Sequence, residues 1–283
     1  MLSAALPPPP PSPSSLPPSF RPPVLDLSTL PLTDVPRLRT FLLSALVGAV
    51  NPCFVVRNHP AVREIQSYIA LARTTTVVAI DNDPNLVGVS QHSIPSDSPP
   101  LRFALASLSS TLLAALTSPS SPSSPPPSIS STSPISLRYY PPRLSPSSSP
   151  RRLGAHVDGN VLTLLLSTSP GLQVPNPFHP SSAGVTAETS RSYGMPTLAP
   201  SPLHIPEEGW AYVTVSPDEI LVTLGDEFFT SGRVDFPEKG GVRGPVLHRV
   251  ADGMMGEGGR ISVPFLARLV TAGGEGGGEA VVE

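Results

Sequence analysis

The pattern of apolar and polar residues predicts helices in the first half of the chain. In "LTDVPRLRTFLLSALVGAV" and "LRFALASLSSTLLAALTS" the apolar residues recur three and four positions apart, which is typical of an amphipathic helix. Residues 61–73 are also expected to be helical. The segments "VLDLSTL" and "CFVVRN" instead favour short strands, because their β-branched and aromatic residues suit a pleated surface.

The first of these helices carries its own start and stop signals. Thr33 or Asp34 is the predicted N-cap, and Asn51-Pro52 is expected to stop the segment. The residues predicted to form its apolar face are Leu38, Phe41, Leu42 and Leu46.

From Ile135 onward the pattern changes to short apolar runs separated by turn residues. Several strands at such spacing indicate an all-β sandwich or barrel. The runs are "ISLRYY", "GNVLTLLLS", "GLQVP", "GWAYVTVS", "EILVTLGDEF", "GPVLHRVA" and "RISVPFLARL".

Proline- and serine-rich stretches mark the expected boundaries. They cannot bury enough apolar area to offset the chain entropy of ordering, so they predict disorder or flexible linkers. We expect a disordered extension over residues 1–22, an N-terminal region over 23–118, a flexible linker over 119–134, a β-domain over 135–271 with an insertion loop at 176–207, and a flexible tail over 272–283.

Charge and composition limit the classes of partner that the chain is expected to bind. The formal charge of −3 provides no basic field for nucleic acid or an anionic membrane, so a small molecule or a protein is the expected partner. The longest apolar stretch, "FLLSALVGAVNPCFVV", is shorter than a membrane-spanning helix, which needs about 20 residues. The single cysteine, Cys53, excludes an internal disulfide and fits a cytoplasmic location, and its apolar neighbours predict a buried, inert thiol.

The segment "LGAHVDGN" offers candidate metal ligands. His156 and Asp158 are two residues apart, so on a strand they point to the same face. His248, in "PVLHRV", is the one other histidine in a strand-like run of the second half, and it is far enough along the chain from Asp158 to lie on an antiparallel strand across a barrel. Two imidazoles and one carboxylate make the facial triad that suits Fe(II). Zinc could use the same ligands, and a plain His–Asp hydrogen bond at a strand end is the alternative.

A second same-face pair follows His248. Arg260 and Ser262, in "GRISVPFLARL", could grip a carboxylate, because a planar guanidinium binds both carboxylate oxygens and the hydroxyl adds a further hydrogen bond. The alternative is that Arg260 lies on an outer face and makes a surface ion pair. The position of Arg260 after the candidate metal ligand His248 favours the interpretation that it binds a carboxylate.

Taken in chain order, these segments resemble the 2-oxoglutarate and Fe(II)-dependent dioxygenases of the isopenicillin N synthase-like group, which includes plant flavonoid and gibberellin oxidases. The resemblance covers most of residues 24–75 and 135–270. It is carried by "VLDLSTL", "ALVGAVNPCFVVRNHP", "LRYYPP", "AHVDGNVLTLLL", "GLQV", "GWAYVTVSPDEILVTLGDEF", "LHRV" and "RISVPFL".

The resemblance implies a mainly β fold with flanking helices, built on a double-stranded β-helix, or jelly roll, with a short helical N-terminal region. It also implies an enzyme that uses Fe(II), 2-oxoglutarate and O2 to hydroxylate or desaturate a small organic substrate, acting as a monomer. The implied iron ligands are His156, Asp158 and His248. Arg260, Ser262 and Tyr140 would bind 2-oxoglutarate, although Tyr140 could also be an ordinary core tyrosine.

Departures from the family pattern leave other functions open. The N-terminal half is short, residues 76–100 match nothing in the family, and the loops at 176–207 and before His248 are long. One alternative is an oxidase that uses the triad without 2-oxoglutarate, with Arg260 binding a substrate carboxylate. Another is an inactive relative that acts as a binding protein, and a proline-rich scaffold is a weaker third. The prime substrate is not predicted.

Overall fold

The computed structural model describes residues 18–74, 90–93, 99–117, 127–141, 151–192, 204–232, 234, 236, 241–251 and 259–270. Within these ranges the chain forms two β-sheets that enclose a core, with helices against the larger sheet. The strands are β1 (Ser19–Phe20), β2 (Val24–Asp26), β3 (Cys53–Arg57), β4 (Ser90–Ser93), β5 (Ser136–Tyr140), β6 (Arg151–His156), β7 (Leu162–Ser167), β8 (Leu172–Pro175), β9 (Trp210–Val213), β10 (Glu219–Leu224), β11 (His248–Ala251) and β12 (Arg260–Ala267).

The helices are α1 (Val35–Leu46), α2 (Ala61–Thr74), α3 (Pro99–Leu116), α4 (Ala187–Ser192) and α5 (Asp226–Thr230), with 3-10 turns at Pro180–Gly184 and Glu207–Gly209. Three helices, α1 to α3, lie where the sequence predicted them, and two short helices, α4 and α5, were not predicted. Asp34 is the N-cap of α1, as one of the two predicted residues, and its side chain accepts a hydrogen bond from the Arg37 backbone N–H. The helix ends at Leu46, earlier than Asn51-Pro52, because the C-cap residue Val47 is already extended, and Gly48 after it has a positive φ of 76°.

The two sheets have seven and five strands in the part of the chain that is described. The larger runs in the order β2-β3-β10-β7-β12-β5-β4 and the smaller in the order β1-β9-β8-β11-β6. Neither sheet closes on itself within these residues, so the predicted sandwich is confirmed rather than a barrel.

Strand alternation gives the larger sheet two different faces. On β12, Ile261, Val263 and Phe265 pack in the core that contains the helices. Arg260 and Ser262 alternate with them and line a cavity between the sheets. The same alternation on β7 places Thr163 in that cavity and Leu164 under the helices. The inner face of the larger sheet therefore carries the polar side chains.

Residues 18–22 of the expected extension and residues 127–134 of the expected linker have described structure. Residues 1–17 and 118–126 lie outside the described residues, but Ser19–Phe20 pairs in parallel with β9. In the expected linker, the Ser130 N–H donates to the Arg268 carbonyl, and the buried Ser133 hydroxyl accepts from the Arg268 N–H. These contacts correct the expected extents of the disordered extension and of the linker.

The N-terminal region does not form a unit apart from the β-rich remainder. Strands β2, β3 and β4 belong to the same sheet as β5, β7, β10 and β12. The expected insertion loop is also partly structured, since a 3-10 turn and α4 fall within it. Residues 193–203 of that loop and the tail from residue 271 lie outside the described residues.

Glu219 anchors the N-terminal segment from inside the protein. Its carboxylate is fully buried and accepts two hydrogen bonds of 2.7 Å from Arg21. Arg57 donates to the same carboxylate at 2.7 Å, and the Ser216 backbone N–H donates at 2.8 Å. Burial alone would raise the pKa of Glu219, but these hydrogen bonds together lower it to about 2.

Cys53 agrees with its predicted burial. Cys53 is buried, and burial raises the pKa of its thiol to about 12, so the thiolate is not formed at neutral pH. Over the residues that are described, every helix is too short or too polar to cross a bilayer.

Candidate metal centre

The structure brings together the three side chains predicted to bind a metal. Asp158 Oδ1 lies 3.7 Å from His156 Nε2 and 3.8 Å from His248 Nε2. One ligand atom from each residue falls within 4.8 Å of the others. Two ligand atoms at neighbouring positions around an ion are roughly 3 Å apart when each bond to the ion is about 2.1 Å long. The distances from Asp158 Oδ1 to the two histidine nitrogens would therefore have to shorten by about 1 Å.

Strand pairing creates this arrangement. His156 on β6 and His248 on β11 are direct partners on adjacent antiparallel strands, and their rings are 4.3 Å apart. We expected His248 to lie across a barrel from the pair, and that expectation is wrong because the two strands are neighbours in the smaller sheet. Asp158 follows the end of β6, so its side chain is placed by a loop rather than by strand alternation.

Backbone carbonyls orient both imidazoles. His156 Nδ1 is 2.8 Å from the Gly154 carbonyl oxygen, and His248 Nδ1 is 3.0 Å from that of Val246. A carbonyl only accepts, so each Nδ1 carries the proton and donates it. In the neutral imidazole this tautomer leaves the lone pair on Nε2, which is the form that binds a metal.

Electrostatics favour the metal-binding protonation states of His156 and Asp158. Burial, followed by the neighbouring His248, lowers the pKa of His156 to about 4. Burial would raise the pKa of Asp158, but His248 and then His156 outweigh it and keep that pKa below its usual value. At neutral pH the site therefore presents a neutral His156 and a carboxylate.

A short polar chain holds the second oxygen of Asp158. Thr163 on β7 donates its hydroxyl proton to Asp158 Oδ2, the oxygen that does not face the histidines. Asn160 Nδ2 donates to the Thr163 oxygen at 3.1 Å and also to the Leu162 carbonyl. Oδ1 is consequently the oxygen presented to a metal.

Gly225 allows the loop that carries Asp158 to pack tightly against the end of β10. A Cβ at Gly225 would lie 2.0 Å from the Asn160 carbonyl oxygen and 2.9 Å from that of Asp158. The Asp226 N–H donates to the same Asp158 carbonyl at 2.7 Å. A side chain at position 225 would have to displace this loop.

Arg260 lies in the same cavity as Asp158 and His248. It is 1% exposed, and its Nε donates to the Ser169 carbonyl at 3.2 Å. Its Nη1 is buried and has no hydrogen-bond partner among the described residues. Burial lowers the pKa of Arg260, yet guanidinium stays charged in proteins, so this position calls for an anion.

Tyr140 and Ser262 complete the polar end of the cavity. Tyr140 pairs directly with Arg260 across β5 and β12, and the guanidinium carbon lies 5.1 Å from the centre of its ring. Ser262 is buried two residues along β12, on the same face. Arg260 follows His248 on the next strand of the sequence, as expected, but β12 belongs to the opposite sheet.

Two polar residues in the cavity were not among the predicted site residues. Thr163 alternates with Leu162 and Leu164 in an apolar run, and Arg138 is two residues before Tyr140 in "SLRYY". The signal available in the sequence was their position on the same face as a predicted site residue or cavity residue.

Replacing Thr163 with valine is expected to weaken metal binding by about tenfold or more. The substitution keeps the shape of the side chain but removes the hydrogen bond that orients Asp158, and loss of such supporting bonds lowers metal affinity by about 10-fold to 100-fold. Calorimetric titration with Co(II) would measure the change. Thr163→Ser should retain most of the affinity, and the surface variant Thr40→Val should retain all of it. Equal affinities for Thr163→Val and the unaltered protein would refute the role of Thr163.

Comparisons with known proteins show the fold but not a close relative. No family model matches the chain, and no curated protein matches it. Among solved structures, a candidate oxygenase from Shewanella oneidensis aligns with 17% identity over 88% of this chain and 90% of its own, with a TM-score of 0.52.

Two further structures align at lower scores. A full-length Neurospora crassa protein, solved in complex with alpha-KG, is 14% identical over 88% of this chain and 84% of its own, with a TM-score of 0.49. A candidate 2OG-Fe(II) oxygenase family protein from Caulobacter crescentus is 15% identical over 87% of this chain and 86% of its own, with a TM-score of 0.46.

The match to the Shewanella oneidensis protein shows a shared fold. Together with the two facing sheets, it confirms the predicted mainly β architecture of the jelly-roll type.

Proposed function

We propose that this chain is an Fe(II)- and 2-oxoglutarate-dependent dioxygenase that hydroxylates or desaturates a small organic substrate. The observation that carries the proposal is that one cavity contains both Asp158 and His248 of the triad and a buried arginine with an unpartnered Nη1. A metal site alone would not require that arginine, and an anion-binding arginine alone would not require the triad.

The residues present fit both groups. His156, Asp158 and His248 offer two imidazole nitrogens and one carboxylate oxygen, the donor set that suits Fe(II). The bound iron would supply the redox chemistry that consumes O2, converts 2-oxoglutarate to succinate and CO2, and adds the second oxygen atom to the substrate in a hydroxylation.

The protein's own part is to bind and orient. Arg260 and Ser262 would hold the distal carboxylate of 2-oxoglutarate, with the Tyr140 ring against the guanidinium. The Nδ1 bonds to the Gly154 and Val246 carbonyls orient the imidazoles and leave Nε2 of each ring as the nitrogen available to a metal. Apolar side chains on the facing strands exclude water from the rest of the cavity; they are Leu153, Leu165, Leu172 and Val250.

The proposal is tested by anaerobic titration with Fe(II), followed by addition of 2-oxoglutarate and O2 and measurement of succinate. We expect about one iron per chain and iron-dependent succinate formation even without a prime substrate. Absence of iron-dependent succinate would overturn the proposal. Iron binding without affinity for 2-oxoglutarate would instead support an oxidase that uses the same triad with another carboxylate.

A further inference from the structure

The cavity contains a second arginine, Arg138, which the assignment above does not use. Arg138 and Tyr140 lie two residues apart on β5, and both line the cavity. The alternate residues Leu137 and Tyr139 point to the other face of the strand and pack with the core under the helices. Arg138 is half-buried and lines the same cavity as Arg260, Asp158 and His248.

The strand register places Arg138 closer to the metal ligands than Arg260. On β12, Arg260 pairs with Tyr140 and Ser262 pairs with Arg138. Further along the same strand, Leu266 pairs with Thr163, the residue that holds Asp158. Arg138 is thus one step of two residues, about 7 Å of strand, nearer to the Asp158 end than Tyr140 and Arg260 are.

The charge of Arg138 affects the pKa of a residue at each end of the cavity. After burial, it is the further influence that lowers the pKa of Arg260. It also contributes to lowering the pKa of His156, behind burial and His248. The Arg138 charge therefore acts on the triad and on Arg260, which line the same cavity.

Two separated guanidinium groups in one cavity match a ligand with two separated carboxylates. We propose that Arg138 binds the carboxylate of 2-oxoglutarate that adjoins the keto group, while Arg260 binds the distal one. The inference rests on the proposed function and deepens it, because it names the group that recognises the metal-proximal end of the co-substrate. Arg138 is then a binding residue of the site rather than a surface charge at its edge.

The test compares two ligands that differ at one end. 2-Oxopentanoate has the keto acid end and the chain length of 2-oxoglutarate, but a methyl group replaces the distal carboxylate. Binding of each ligand is measured by anaerobic calorimetry in the presence of Mn(II), which occupies an iron site without turnover. The proteins are the unaltered chain, Arg138→Gln, Arg138→Lys and Arg260→Gln, with the exposed Arg63→Gln on α2 as the matched control.

We expect Arg138→Gln to weaken binding of both ligands by a similar factor, about 10-fold to 100-fold, because both carry the carboxylate next to the keto group. Arg260→Gln should weaken binding of 2-oxoglutarate by a similar factor and leave 2-oxopentanoate unchanged. Arg138→Lys, which keeps the charge but loses the paired donors, should fall between. Arg63→Gln should bind both ligands as the unaltered chain does.

Three results would overturn the inference. Arg138→Gln and Arg138→Lys could bind both ligands normally, or Arg138→Gln could weaken 2-oxoglutarate alone, which would place Arg138 at the distal end. If Arg138→Gln does not fold, unchanged binding in the folded Arg138→Lys decides against the role. The unaltered chain failing to bind 2-oxoglutarate with Mn(II) present would instead contradict the proposed function itself, and the inference with it.

Discussion

His248→Ala is expected to lower iron affinity by about 100-fold or more and to abolish succinate formation from 2-oxoglutarate. Supporting residues around metal ligands are already worth about 10-fold to 100-fold in affinity, and the loss of one ligand of three should cost at least as much. His248 is buried next to His156, so its removal leaves Asp158 and one imidazole as the remaining ligands.

The control for this variant is His204→Ala. His204 is exposed and is not part of the triad, so its replacement should leave iron binding and succinate formation unchanged. Thermal unfolding of both variants without metal would show whether the fold is kept. A His248→Ala protein that folds and binds iron as the unaltered chain does would refute the assignment of the metal site.

Glu219→Gln is expected to destabilise the fold by about 3 kcal/mol at neutral pH. Removing one partner of a buried ion pair costs about 3–5 kcal/mol, and the lower end applies because Arg21 and Arg57 can reach solvent. Urea unfolding would measure the change. Glu64→Gln, at an exposed position on α2, is the matched control and should shift the unfolding midpoint little.

The pH dependence of stability tests the same network. The pKa of Glu219 is lowered to about 2, so the folded state binds the proton more weakly than the unfolded state does. Its contribution is therefore present above the ordinary glutamate pKa of about 4.3 and is lost as the pH falls from there toward 2. Glu219→Gln should lose less stability than the unaltered chain over this range. Parallel acid curves and equal urea midpoints would refute the role of Glu219.

The face of the strand on which a side chain lies could be predicted from the sequence, because alternation depends only on neighbouring residues of the same strand. Arg260 and Ser262 were expected on one face of a strand, and β12 places both in the cavity. The triad could be proposed because His156 and Asp158 are two residues apart and His248 lies in a strand-like run, although a loop and not β6 carries Asp158. Alternation does not reveal which strands pair. For this reason the strand of His248 was predicted to lie across a barrel from His156, whereas β6 and β11 are direct neighbours.

Residues that support the site were missed for a related reason. Thr163 is one hydroxyl in an apolar strand, and only the folded loop shows that it meets Asp158. Arg138 could be recognised as a cavity residue only once the inward face of β5 was known. The strand Ser19–Phe20 is too short to give a periodic signal, and the partner of Arg21 is 198 residues away.

The most direct test of the central claim is a crystal structure determined without oxygen after soaking with Fe(II) and 2-oxoglutarate. We predict one iron bound by Nε2 of His156, Nε2 of His248 and Oδ1 of Asp158, and 2-oxoglutarate in the same cavity with its distal carboxylate on Arg260 and Ser262. An iron bound elsewhere, or 2-oxoglutarate bound away from Arg260, would contradict the account.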